Sequence, residues 1–302
     1  MLQLFSILLN VISPIFILIG LAYVVGKRLA PDPRALSVFL IYVFVPALSF
    51  NGLRNADLRG GAILGFVAVA VGLVLMMILI GLAIGAWLGG TPQRRGALVM
   101  TLFMVNGANY GTPVNTFAYG TVGGELAVLY YVVNSILSNF LGVFFASRGG
   151  SVGQAIRNAL SVPVGYAALL GGAVNLLSVE MPLFLSRGID IMAQAAIPCM
   201  LALLGLQLSH MTLNRRGLGL VLLVSGVRLI GGALAALPLC ALFGLQGVAF
   251  QVAMTQSAMP TAVMTNALAT EFGSDVEFTS AVTLISTLLS VVTLSVLIAL
   301  LL

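Results

Sequence analysis

Residues 105–120 read Val-Asn-Gly-Ala-Asn-Tyr-Gly-Thr-Pro-Val-Asn-Thr-Phe-Ala-Tyr-Gly, and residues 254–266 read Met-Thr-Gln-Ser-Ala-Met-Pro-Thr-Ala-Val-Met-Thr-Asn. Each stretch sits inside a long apolar run, and each is a poor helix. Pro113 lacks an N–H and its ring meets the carbonyl one turn back. Thr112, before it, is biased away from helix. Gly107 and Gly111 make unwinding cheaper. The same logic applies around Pro260. Both stretches predict a helix broken in mid-course.

The surrounding composition says where those helices lie. Of 302 residues, 60% are hydrophobic and 7% charged, against about 25% charged in an ordinary soluble domain. A water-soluble enzyme is excluded. A membrane span needs about 20 apolar residues. Ten runs meet that need, near 4–26, 35–53, 61–89, 96–120, 124–146, 159–178, 189–209, 216–244, 247–271 and 277–301. The expected fold is an all-α polytopic membrane protein with one transmembrane domain, 1–302. The uncharged start, Met1 to Leu9, reads as part of the first span rather than as a leader. Cys199 and Cys240 lie inside apolar runs and read as buried small residues.

The net charge of +5 reads as membrane orientation, not as nucleic-acid binding. Odd-numbered loops hold Lys27, Arg28, Arg34, Arg94, Arg95, Arg148, Arg157, Arg215 and Arg216. Even-numbered loops hold Arg54, Arg59 and Arg187. The bias places the odd loops in the cytoplasm and both termini outside.

Three prolines recur at a near-constant offset: Pro14 with Pro163, Pro46 with Pro198, and Pro113 with Pro260. This predicts two five-helix repeats, 1–146 and 159–302. Five is odd, so the second repeat enters the membrane from the opposite side. Inverted repeats with paired broken helices point to a secondary transporter, with its site at the breaks. The half-helix N-termini after each break favour an anion. The candidate substrate-binding residues are Asn106, Asn109, Gly111, Thr112, Pro113 and Asn115 in the fourth run, with Gln256, Ser257, Pro260 and Thr261 in the ninth. Arg228, the thirteenth basic residue, lies within the eighth run. Its planar guanidinium suits a carboxylate. A structural arginine held by carbonyls freed at the breaks is the other reading.

The one histidine, His210, has no acid pair or HExxH spacing around it, and there is no Walker loop. An enzyme is therefore not expected, nor is any cofactor or metal. An anion channel or a membrane sensor on the same fold is the alternative to a transporter. Glu271, Asp275 and Glu277 read as solvated loop charges. Coupling stays open between a co-transported proton or sodium, exchange, and facilitated diffusion.

These motifs resemble the auxin efflux carrier family, which spans bacterial carboxylate permeases and plant auxin exporters, over nearly the whole chain. The resemblance rests on Asn106 with Gly111-Thr112-Pro113, on Tyr119-Gly120, and on Gln256-Ser257-Ala258-Met259-Pro260-Thr261-Ala262. Ala269-Thr270-Glu271-Phe272, Arg228 with Pro238, and Leu204-Gly205-Leu206-Gln207-Leu208 extend it. It implies ten helices in a 5+5 inverted repeat, helices 4 and 9 crossing at their broken centres, and a scaffold-like and a transport-like bundle. It further implies a homodimer, a bacterial inner-membrane location, an organic anion substrate, and Asn106 as a substrate contact. Ala108 and Asn109 depart from the family pattern beside the crossover, so substrate identity does not carry over. The long cytoplasmic loop of the plant members is replaced by the short connector 147–158.

Overall fold

The computed structural model describes residues 2–55, 62–146, 163–211 and 217–302. Arg59, Arg148, Arg157, Arg215, Arg216, the 147–158 connector and the first residues of the sixth and eighth runs lie outside the described residues. Every named element is helical, and the single β-like feature among the described residues is an isolated antiparallel bridge between Val105 and Thr261.

The helices are α1 (Leu4–Leu29), α2 (Arg34–Asn55), α3 (Ala62–Leu88), α4 (Pro92–Phe103), α5 (Thr112–Ala146), α6 (Pro163–Leu176), α7 (Leu183–Ser209), α8 (Leu218–Leu242), α9 (Gly247–Ser257), α10 (Met264–Glu271) and α11 (Val276–Leu301). Seven helical stretches among the described residues are long and apolar enough to cross a membrane. The difference from ten runs has a local cause. The fourth run is split into α4 and the start of α5. The remainder of α5 is the fifth run, joined through a turn at Gly120 (φ 71°). The ninth run is split into α9 and α10. The described part of the sixth run, α6, has 14 residues.

The prolines act differently from the expectation. Pro113 does not break its helix: Thr112 is helical, with φ −61° and ψ −51°. The break lies upstream, where Met104 is extended and Asn106 has φ −78° and ψ 58°. Between break and proline sits one wide π turn, Gly107–Gly111. Equivalent turns, Leu8–Ile12 and Leu40–Phe44, precede Pro14 and Pro46. In each, the residue before the proline donates its N–H to a carbonyl five residues back. The wider turn takes up the carbonyl that the ring would otherwise meet. Pro198 stays inside α7 without such a turn, and Pro260 lies in the second break itself. The first break therefore lies upstream of Pro113, while the second contains Pro260.

Packing falls into two groups. α1 lies along α7, and α2 along α6. α3 packs on α4, α8 on α11, and α9 on α5. The larger apolar core gathers α3, α4, α5, α8, α9 and α11 with one face each of α1 and α7. A smaller one joins α2, α5, α6 and α7 through Leu40, Val132, Val164 and Met200. Small residues let membrane helices approach closely. At Gly205 a Cβ would fall on the α1 backbone at Ile19 and lie 2.7 Å from Ala22 Cβ. Gly205→Val is expected to cost about 1–3 kcal/mol through overpacking; thermal unfolding of the purified protein measures it.

Candidate functional site

The two breaks close on each other. Asn106 N–H donates to Pro260 O at 2.9 Å, and Ala262 N–H donates to Met104 O at 2.8 Å. Thr261 Oγ1 donates to Thr101 O at 2.7 Å, and Ser286 Oγ of α11 accepts from Thr261 N–H at 3.2 Å. Unwound backbone in an apolar interior must find partners for its polar groups. Here each break supplies them to the other.

Arg228, on a π turn of α8, is fully buried. Its Nε donates to Met259 O at 3.0 Å, Nη1 to Leu102 O, and Nη2 to Ser257 O. Leu102 and Ser257 lie in the last turns of α4 and α9. A helix C-terminus carries about half a negative charge and unpaired carbonyls. The guanidinium sits on two such ends at once. The placement matches the structural reading of Arg228. Arg228 does not line the cavity described next; its donors hold carbonyls.

A cavity of about 790 Å³ lies between α2 and α7 on one side and the first break, α5, α10 and α11 on the other. Of the residues expected from sequence, Asn106 and Asn109 line it. Gly111, Thr112, Pro113, Asn115, Gln256, Ser257, Pro260 and Thr261 do not line it; they are buried in and behind the paired breaks. Gln256 Nε2 donates to Gly107 O and Ala127 O at 3.3 and 3.2 Å. Gly111 makes room for that side chain, whose Cδ lies 2.9 Å from where a Cβ would stand. Thr112 Oγ1 donates to Gly107 O at 3.2 Å, and Asn115 Nδ2 to Gly111 O at 2.7 Å. Ser257 Oγ turns back to Ala253 O. These side chains brace the breaks.

The cavity wall has polar members that the sequence reading missed: Asn134, Ser135 and Ser138 on α5, Gln207 on α7, Asn266 on α10 and Ser280 on α11. Ser138 Oγ donates to Asn134 Oδ1 at 3.0 Å. Asn134 Nδ2 and Asn106 Nδ2 are buried with no protein partner among the described residues, and so is Gln207 Oε1. The signal for Gln207 was present, within the Leu204-Gly205-Leu206-Gln207-Leu208 motif. Asn134 gave none, because a lone Asn in an apolar helix looks like helix–helix glue.

The cavity reaches the helix ends at Pro33, His210 and Val276. Lys27 and Arg28 in the last turn of α1, and Arg34 at the start of α2, lie at this end of the molecule. Arg94 is there as well, paired with Asp275 at 2.5 Å and stacked over Phe278 at 4.0 Å.

With this geometry in view, comparison with known proteins decides the family. The sequence profile of the family described as "Membrane transport protein" matches residues 7–155 and 151–298. This chain belongs to that family, the auxin efflux carriers. It is 30% identical over 292 residues to a Methanothermobacter thermautotrophicus protein named "Uncharacterized transporter", covering 93% of this chain and 94% of the relative. It is 26% identical over 298 residues to a Rhizobium meliloti protein named "Putative malonate transporter", covering 95% and 93%. The auxin efflux carrier chain is thus a multi-pass membrane protein of a transport family.

Removing the arginine from the paired breaks strands three buried carbonyls. Arg228→Met is expected to destabilise this carrier by about 3 kcal/mol or more. Arg228→Lys should recover only part, because an ammonium lacks the planar fork that reaches three acceptors. Unfolding of the purified variants measures both. A Met variant as stable as the parent would remove the clamp from the account.

Proposed function

We propose that the protein is a secondary transporter that moves a small organic anion bearing a carboxylate across the membrane by alternating access. One observation carries this reading: a large, mostly apolar cavity ends on the paired breaks, where Asn106 and Asn134 hold unpaired amide donors. Ala108 and Asn109 on one side, and Val263 and Met264 on the other, bring the starts of both second half-helices to the same wall. The positive end of a helix dipole suits an anion. The name of the Rhizobium relative is in keeping with a carboxylate.

The topology proposed with it has ten spans in two inverted five-helix repeats, 1–146 and 159–302. The fourth and ninth spans cross where Val105 pairs with Thr261. Lys27, Arg28, Arg34 and Arg94 at the cavity end support a cytoplasmic position for that end, hence an inward-open state with both termini outside. The location proposed is a bacterial inner membrane. The position of the cavity between two packing groups supports a rocking or sliding of one group against the other. Protons or sodium as coupling ions, and a homodimer, remain parts of the proposal for experiment to decide.

Reconstituted into proteoliposomes, the protein is expected to give saturable uptake of radiolabelled malonate or a related small carboxylate, with counterflow. Asn106→Leu should lower uptake at least tenfold with the protein still folded. A folded protein with no saturable flux for any carboxylate tested would sink the proposal, and flux without counterflow would move it to a channel.

A further inference from the structure

We infer that the site accepts one negative charge and no more: its substrate binds as a monoanion, and any second acidic group must enter protonated. The inference rests on the carboxylate reading above and adds a charge state to it.

Four helix ends meet at the paired breaks. Two are C-termini, of α4 and α9, each worth about half a negative charge. Arg228 sits on both, through Leu102 O and through Ser257 O and Met259 O. One positive charge against two halves leaves that side of the junction neutral. The guanidinium is therefore matched before any substrate arrives. The other two ends are N-termini, beginning at Gly107 and at Met264, each worth about half a positive charge. Both reach the cavity, through Ala108 and Asn109 and through Val263 and Met264. Together they match about one negative charge.

Nothing else on the wall adds to that sum. Among the described residues no Lys, Arg, Asp or Glu lines the cavity. His210 is exposed, at the far end of the cavity. A dianion at the breaks would leave about one charge unmatched in a membrane-buried site, which is costly.

The neutral groups agree with this count. Asn106 Nδ2 and Asn134 Nδ2, in residues 5% and 3% exposed, are donors without protein partners. They suit one carboxylate. Gln207 Oε1, across on α7, is an acceptor without a partner. That amide oxygen can accept from a protonated carboxyl or a hydroxyl. Donors for one carboxylate, with an amide oxygen that can accept a proton, suit a half-protonated dicarboxylic acid.

Calorimetric titration of the purified full-length protein tests this with two probes, malonate and monomethyl malonate, at pH 7 and pH 8. The monoester is a fixed monoanion, and its Kd is expected to be the same at both. The half-protonated fraction of malonate falls with pH, so its Kd is expected to be about tenfold weaker at pH 8. Equal malonate affinity at the two pH values, beside a binding monoester, would overturn the single-charge inference and leave the carboxylate reading standing. A parallel weakening of both probes would put the titration on the protein and overturn it too. Binding of neither probe would remove both readings together.

Discussion

An unwound main chain inside a membrane has no water to turn to. That constraint organises this molecule. Two breaks, each intolerable alone, are placed so that each satisfies the other: Asn106 and Ala262 donate across, and Pro260 and Met104 accept. The carbonyls left at the ends of α4 and α9 need a further donor, and Arg228 reaches both. The positions of α8 and α11 follow, since one carries the arginine and the other carries Ser286, which accepts from Thr261. The cavity then exists because helices stop there.

The same junction separates two tasks that the residue types alone do not distinguish. Asn, Gln, Ser and Thr all cluster near the breaks. Gln256, Asn115 and Thr112 turn their donors onto backbone carbonyls of the first break and α5. Asn106 and Asn134 line the cavity and hold donors without protein partners. Hydrogen-bond accounting, more than polarity, tells side chains whose donors brace the breaks from those whose donors have no protein partner.

The helical class, the family and the two weak stretches were legible in the sequence, because each rests on composition or short-range pattern. Hydropathy marks the runs, and Gly, Pro and Asn mark where helix is poor. The point of breakage was not legible. Pro113 looked decisive, but a π turn absorbs it, and the chain opens at Met104–Asn106 instead. A π turn depends on what surrounds it, which a proline rule does not see. The cavity wall was half legible for a similar reason. Asn106 and Asn109 belong to the anomalous stretch, whereas Asn134 and Gln207 sit in regular helices and reach the cavity through packing. Arg228 was conspicuous from sequence, but whether it faces a ligand or a carbonyl is settled only by neighbours in space.

One consequence of the Val105–Thr261 bridge concerns divergence. The junction is written in main-chain atoms, and every residue except proline offers the same N–H and C=O. The two bonds across the breaks do not depend on which side chains Met104 and Ala262 carry, whereas those from Arg228, Thr261 and Gln256 do. Such a joint can inherit its geometry without inheriting its letters, which suits a chain 30% and 26% identical to these two relatives.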